Sequence, residues 1–511
     1  MMPQYRLKNP RRGSTLLLLA MGLPVVLVPL AGLAIDASMC YIVQAKLQSA
    51  VDGAALGAGR LLGTSANIQE IADEFLTVNF PAGYWGARNI TKNIQLTSSV
   101  GSNTIQVSAT AQVPLLFLRV LRQEMSTVAA TATSTRRDSR VILVLDRSDS
   151  MNHVDPVSGL NAFPTMINSA KGFVGKLTPG ADQVGLLAFG GSAIVAYPTA
   201  RPWDPSPTGS GGPDTDFATS SNVGPIFTQL NAISYGGYTA TAESLSMAYI
   251  ELRKAHNRDT AGGGTDTRSN AIVLFTDGQP TSIAMSPNDR SNLPSSNVIK
   301  ATSPCTYKPD DGASGTPAAH KMRGWAGARP PGYGGGWAAP AGLHLLAAYD
   351  NSHTLSWWLG NNGAGNTSDS SPSTAVAGCA GLNNGNNTLS DLAKLPPKDL
   401  YGNAITTGYW PVSESNPTSG SNFGNAALNA ADNAAKTIRA QTAMGPITIY
   451  TIGYTGNGGL NSTLLKRIAN TKDSASYTPS EKMGLYIEVS SADQLNAAFQ
   501  AVASDMLRLA R

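Results

Sequence analysis

Between Arg12 and Asp36 the chain carries no charged residue, and residues 14–35 form a strongly apolar run. A run of this length crosses a bilayer as an α-helix, because a helix satisfies its backbone N–H and C=O groups internally where no water is present. Arg6, Lys8, Arg11 and Arg12 precede the run, so the positive-inside rule predicts that everything after Asp36 lies outside the cytoplasm. The apolar pattern continues past Asp36 at helical spacing, through Met39, Ile42, Val43, Leu47, Val51 and Ala54. This predicts one helix of about 70 Å at 1.5 Å per residue, bent at Pro24 and Pro29. The alternative is a cleaved export signal ending at the small residues Gly32-Leu33-Ala34, against which the unbroken helical pattern argues.

A second constraint lies at residues 141–151, VILVLDRSDSM. Five consecutive apolar residues predict a strand buried on both faces, and its exit loop sets Asp146, Ser148 and Ser150 at alternate positions. A carboxylate and two hydroxyls are oxygen donors suited to a hard cation, which seldom finds its whole shell in one segment. Two later stretches offer more: the glycine turn Gly236-Gly237-Tyr238-Thr239-Ala240-Thr241 ahead of a helix, and a buried strand, residues 271–276, that runs into Asp277. A competing turn, Gly263-Gly264-Thr265-Asp266-Thr267, leads into a strand and not a helix, which favours Thr239. DxSxS, a TxT turn and a strand ending in TDG, in that order, resemble the metal-ion-dependent adhesion site of von Willebrand factor A domains. The resemblance implies that Asp146, Ser148, Ser150, Thr239 and Asp277 hold a divalent cation directly or through water, Mg²⁺ first, with Mn²⁺ or Ca²⁺ as alternatives. It further implies that one coordination position is left for a partner's carboxylate. Asp149 adds negative charge beside the loop, and His153 is expected on the solvated surface.

From residue 141 onwards strands and helices alternate, which predicts an α/β, doubly wound sheet of the von Willebrand factor A type. Helices are expected over 163–177, after Thr241 (Leu245, Ala248, Tyr249 and Leu252 on one face), and over 423–444, 464–470 and 493–509. Strands are expected over 183–189 and 193–197, forming a hairpin through Gly190-Gly191, and over 447–452 and 485–489. A Pro/Gly/Ser/Asp loop occupies 202–222. The sheet is complete without residues 286–421, so this stretch reads as an insertion and a separate module with little regular structure. It holds Trp325, Trp337, Trp357, Trp358 and Trp410, expected to form mainly a small core of the module's own.

The N-terminal stretch RRGSTLLLLAMGLPVVLVPLAGLAIDASMCYIVQAKLQSAVDGAALGAG resembles the TadG-like minor pilins of tight-adherence (Flp-type) pili. A helix over 68–80 and strands over 93–100 and 104–113 fit that family, and residues 113–118 and 126–132 resemble its closing strands. In one position the chain departs from pilin-type processing sites: the fifth residue after Gly13 is Leu18, where they carry Glu. The resulting division is a basic N-terminus and transmembrane helix (1–35), a pilin-like small α+β segment (36–137) and the A domain (138–511) with its insertion.

Beyond the four early basic residues, 33 basic and 33 acidic residues balance, which leaves no electrostatic footprint for nucleic acid. Charged residues make up 14% of the chain, below the roughly 25% of an average soluble domain, which suits an exported protein. Cys40, Cys305 and Cys379 show no CxxC spacing; Cys305 and Cys379, both in the exported insertion, are expected to pair as a disulfide. No G-x-S-x-G, H-E-x-x-H or P-loop motif is present, and the histidines fall in no catalytic pattern, so a metal-dependent hydrolase is the weakest reading. The sequence instead predicts a non-catalytic adhesin of a Tad pilus, or an envelope-anchored factor for its assembly. Its expected partners are other minor pilus subunits, a carboxylate-bearing ligand and the membrane. Its expected place is the inner membrane, crossed once with the C-terminal domain outside, or the exported pilus.

Overall fold

The computed structural model describes residues 11–63, 66–191, 193–198, 211–218, 225–285, 324–328, 343–348, 395–415, 420–456 and 459–509. Within it the chain divides into two compact units, Met1–Arg136 and Arg137–Arg511. Cys305 and Cys379, and with them the expected disulfide, lie outside the described residues, as do Trp337, Trp357 and Trp358.

In the first unit, α1 (Arg11–Gly59) is one unbroken helix that runs through Pro24, Pro29 and Asp36. Leu27, Val28, Leu30, Leu33 and Ile35 are exposed along it, whereas Val43, Leu47, Val51 and Ala54 are fully buried. Most of residues 27–35 are thus uncovered, whereas the second half of the helix builds a core. That core is completed by α2 (Ile68–Asn79) and a three-stranded sheet of β1 (Arg88–Ser99), β2 (Ser102–Pro114) and β3 (Met125–Arg137), with β2 in the middle. Alternate residues of β2, from Ile105 and Val107 to Val113, point into it, as the period of two requires. One position of the helical pattern is left uncovered and one expected strand is cut short. Ile42 is exposed, because the sheet and α2 cover only one stripe of α1. The expected strand over 113–118 ends at Pro114, which brings no N–H to a ladder, and Leu118–Leu121 is a 3₁₀ turn.

The second unit is a six-stranded sheet built from β4 (Ser139–Asp146), β5 (Gln183–Phe189), β6 (Ala193–Tyr197), β7 (Ser269–Thr276), and the late strands Ile447–Tyr454 and Tyr486–Val489. In space the order is Tyr486–Val489, Ile447–Tyr454, β7, β4, β5, β6, all parallel except β6, which pairs antiparallel with β5. Helices α3 (Ala162–Val174), α4 (Pro225–Ala232), α5 (Thr241–Thr260), α6 (Gly420–Ala440), α7 (Ser462–Ile468) and α8 (Leu495–Leu509) cover both faces. Ile142 and Val144 of β4 enter the core beneath α5 and α6, while Val141, Leu143 and Leu145 enter the one beneath α3 and α8. Burial on both sides is why these strands read as continuous apolar runs. Helix α4 was not anticipated; the residues around it read as loop.

The insertion is less separate than its composition suggests. A strand right after the β7 exit, β8 (Ser282–Met285), pairs antiparallel with β9 (Gly324–Ala328), which pairs in turn with β10 (Leu343–Ala348). Residues 395–415 then return to the main fold. Leu395 and Ile405 are buried in the α5–α6 core, the Leu400 N–H donates to Ala284 (2.9 Å) and the Asn403 amide donates to Ser246 Oγ (3.0 Å). Trp410 packs against that core beneath the Arg467 guanidinium, 5.7 Å from its ring, and not in a core of the insertion's own.

Candidate metal centre

Because β4 and β7 are parallel neighbours in register (Leu145 opposite Phe275), their C-terminal exits lie side by side. Asp146 and Asp277 are thereby brought together although 130 residues of chain separate Asp146 from Thr276. Both are buried, at 0% and 1% exposure. Thr276 Oγ1 donates to Asp146 Oδ2 (2.5 Å) and the Ser148 N–H to Asp146 Oδ1 (2.8 Å). Ser150 Oγ donates to Asp277 Oδ1 (2.7 Å), and the Ser148 and Ser150 hydroxyls lie 2.9 Å apart. Asp277 Oδ2 is buried with no hydrogen-bond partner. Thr239 comes in over Gly278: a Cβ on that glycine would lie 3.7 Å from Thr239 Oγ1 and 4.0 Å from Ser150 Oγ. All five oxygen-bearing side chains of the motif are thus neighbours.

The Thr239 turn is held by backbone bonds that the sequence does not advertise. Gly236 donates to the Arg147 carbonyl (2.6 Å), Asp149 to the Gly237 carbonyl (3.0 Å) and Ala240 to the Gly190 carbonyl (2.8 Å). The approach is so close that a Cβ on Gly190 would sit 2.4 Å from the Gly236 oxygen, so only glycine fits. Arg147 is itself buried and donates to the Ser234 carbonyl (2.8 Å), tying the same turn from its other side. Burial lowers its guanidinium pKa to about 10, against the support of Asp149 and Asp146. The stretch after Asp277 closes the ring: the Thr281 hydroxyl accepts from the Thr239 N–H (3.0 Å), and the Thr281 N–H donates to the Thr239 carbonyl (3.0 Å).

Two buried carboxylates this close resist ionising together. Burial pushes Asp146 up to about 6, although the Ser148 and Thr276 hydrogen bonds oppose the rise. Asp277 is likewise raised well above its ordinary value, by burial first and then by the charge of Asp146. Among the described residues no group of three or more His, Cys, Asp or Glu side chains gathers in one place so as to hold a metal ion. Two carboxylates and three hydroxyls, with one carboxylate oxygen left unpaired, could hold a small hard cation.

The competing turn is placed elsewhere by its own aspartate. Asp266 pairs with Arg140 (2.7 Å) at the N-terminal end of β4, about 20 Å along the strand from Asp146 at 3.3 Å per residue. His153 is not simply solvated. Its Nδ1 lies 2.8 Å from the Ser150 carbonyl, its Nε2 lies 3.1 Å from the Tyr454 hydroxyl, and the two rings stack at 5.5 Å. Tyr454 ends the strand Ile447–Tyr454, 301 residues away, a partner that no local pattern announces. Asp149, in contrast, keeps an exposed side chain. Arg147, Thr276 and Thr281 complete the group of residues that sequence reasoning left out; of these only Thr276 had a signal, as the first letter of TDG.

Residues 13–61 match the family model of Flp pilus-assembly TadE/G-like proteins, and residues 141–279 match that of the von Willebrand factor type A domain. Solved structures similar to the chain include the PilB minor pilin from Streptococcus sanguinis, 13% identical over 84% of this chain and 80% of that one, with a TM-score of 0.36. The von Willebrand factor domain of the type V pili tip protein Mfa5 from Porphyromonas gingivalis is 16% identical over 74% of this chain and 97% of that one, at a TM-score of 0.32. The pilus adhesin SpaC from Lactobacillus rhamnosus GG is 13% identical over 82% of this chain and 34% of that one, at 0.33. Scores this low establish no shared overall fold. No curated protein matches the chain. The two family matches fall on the apolar helix and on the segment that contributes all five clustered oxygen-bearing side chains, so the chain joins a TadE/G-like N-terminal region to a von Willebrand factor type A domain.

Proposed function

We propose that this is a membrane-tethered, pilus-associated adhesin in which Asp146, Ser148, Ser150, Thr239 and Asp277 hold a divalent cation, Mg²⁺ first. The observation that carries the reading is the unpartnered, buried Asp277 Oδ2 beside a second buried carboxylate. Left alone, such an arrangement costs several kcal/mol in desolvation and repulsion. A bound divalent cation supplies the positive charge that lets both carboxylates ionise and that attracts a carboxylate on a ligand. The chain's own residues do the rest. Ser148 and Ser150 are pre-set by their mutual bond and by Asp277, and Thr239 is fixed by the Arg147 and Thr281 bonds. Hydroxyls add no charge, which keeps the cation attractive to an acidic ligand. The TadE/G-like match supports a role in pilus assembly or display, with the protein either anchored in the inner membrane through α1 with the A domain outside the cytoplasm, or carried out on a Tad pilus among its other minor subunits.

The test is Asp277→Ala in the full chain, read by Mg²⁺ titration calorimetry and by attachment of a strain that still makes pili. The variant is expected to bind no Mg²⁺ and to attach as poorly as wild type under a chelator. Undiminished Mg²⁺ binding would remove the site assignment. Lost Mg²⁺ binding with wild-type attachment would remove the adhesin reading, and immunogold label confined to the envelope would then favour an assembly factor.

A further inference from the structure

The β2–β3 connection in the first unit is built, closed and fastened to α1, yet its apolar side chains have no cover. Leu115 N–H donates to the Glu124 carbonyl (2.9 Å) at its base, and Val120 N–H to Phe117 (3.2 Å), Arg122 N–H to Arg119 (3.0 Å) and Gln123 N–H to Leu118 (3.2 Å) within it. Its fastening to the helix is unusual. Three consecutive backbone N–H groups converge on the Asp36 carboxylate: Leu116 on Oδ1 (2.8 Å), Phe117 on Oδ2 (3.0 Å) and Leu118 on Oδ2 (2.8 Å). One helical turn earlier, on the same face of α1, the Phe117 ring lies over Gly32, where a Cβ would fall 2.5 Å from the ring. Gly32 and Asp36 therefore form a two-part socket, a bare backbone patch for the ring and a carboxylate for the amides. Both are buried by the loop, while Leu33 and Ile35 beside them are exposed.

The socket sits in the last turn of the apolar run, since Asp36 is the first charged residue after Arg12. It fixes the loop at the height where that run ends. From there Leu116, Phe117, Val120 and Leu121 are 55%, 42%, 86% and 72% exposed, a cluster too apolar to stand in water without reason. Between and after them Arg119 and Arg122 are exposed as well. Apolar side chains for the acyl boundary, with arginines whose stems reach from it to phosphate, are the chemistry of a bilayer interface. The clamp also removes an obstacle, because a carboxylate at the edge of hydrocarbon is tolerated when its oxygens are hydrogen-bonded.

We propose that residues 116–122 form an interfacial anchor that seats the first unit on the phospholipid headgroups and upper acyl chains of the outer-facing leaflet, held at that depth by Gly32 and Asp36. This rests on the reading that α1 crosses the membrane. The anchor gives the single helix a second point of support, so that the small domain is fixed in height and tilt against the bilayer.

The test uses the full chain in vesicles of phosphatidylethanolamine and phosphatidylglycerol, with Cys40, Cys305 and Cys379 replaced by Ser and a nitroxide placed at Val120→Cys, Leu30→Cys or Ser99→Cys. Ser99 ends β1, at the opposite end of the hairpin from the loop. Severalfold greater collision of the label with oxygen than with a water-soluble nickel chelate is expected at 30 and at 120, and the reverse at 99. A lipid-shielded label at 30 with a water-exposed one at 120 would overturn the anchor while leaving the transmembrane reading intact. A water-exposed label at 30 would overturn both. Shielding at 120 that appears only when other pilus subunits are added would assign the patch to protein and overturn the lipid proposal. The unaltered chain gives an independent check: a photoactivatable phospholipid should label residues 116–121, and labelling confined to α1 would count against the anchor.

Discussion

At the N-terminal ends of β4 and β7, Asp259 and Asp266 meet Arg140 at 2.8 and 2.7 Å and Arg268 at 2.8 and 3.5 Å. At the C-terminal ends of the same two strands, Asp146 and Asp277 meet hydroxyls and each other. Burial works against ionisation at both ends. At the first it is outweighed, for Asp259 by the Gln183 bond and the arginines and for Asp266 chiefly by Arg140, so both carboxyls fall below their ordinary range. At the second nothing outweighs it and both rise. A pair of aspartates answered by arginines is a finished structural element, whereas the pair met chiefly by hydroxyls is the one we propose to take charge from outside.

The largest effect should come from breaking the finished end. Arg140→Met leaves two buried carboxylates short of a partner and should destabilise the second unit by about 3–5 kcal/mol, measured by denaturant unfolding. The open end should respond in the opposite sense. Chelated Asp277→Ala should melt no lower than chelated wild type, because the change removes a buried carboxyl that burial and Asp146 both penalise. Wild type alone should gain about 2.7 kcal/mol at one hundred times its Mg²⁺ dissociation constant. A marked loss of stability in chelated Asp277→Ala would mean that the two ends do not differ as argued.

A third aspartate sharpens the contrast through pH. Asp399, in the returning arm of the insertion, is pushed up to about 6 by burial, against the bonds from Asn403 and Tyr401 and with Glu243 adding to the rise. Its folded pKa lies above its unfolded value near 4, so the folded state binds the extra proton in that window and the arm loses stability as pH rises through it, by roughly 2–3 kcal/mol in all. Asp259 and Asp266, held low, act in reverse: their stabilisation is complete above pH 4 and is lost as pH falls through their folded values. Hydrogen exchange of residues 395–415, corrected for intrinsic rates, should therefore show more protection at pH 5 than at pH 7, and Asp399→Asn should flatten the difference. The smallest effect is expected at His153→Phe, which keeps the stack on Tyr454 but loses the bonds to the Ser150 carbonyl and the Tyr454 hydroxyl. A cost of about 1 kcal/mol in thermal unfolding and a few-fold weaker Mg²⁺ binding by calorimetry are expected.

What the sequence determined by itself is what short-range periodicity and residue chemistry carry. The continuous helical pattern from residue 14 to Ala54 gave α1, the unbroken apolar runs gave β4 and β7, and their exits gave the oxygen donors. The partners across the fold were decided elsewhere. That Thr239 and not the Gly263–Thr267 turn joins the site follows from which end of the strands each turn reaches, fixed by the register of β4 on β7 and by the Arg140–Asp266 pair. The packing of Trp410, the fastening of His153 by Tyr454 and the folding of residues 116–118 onto Asp36 each join positions far apart in the chain. A side chain's own neighbourhood in sequence reports whether it will be buried, since burial repeats with the period of the local backbone. Which distant group it meets there is set only when strand order and register bring two remote segments together, and no periodicity encodes that choice.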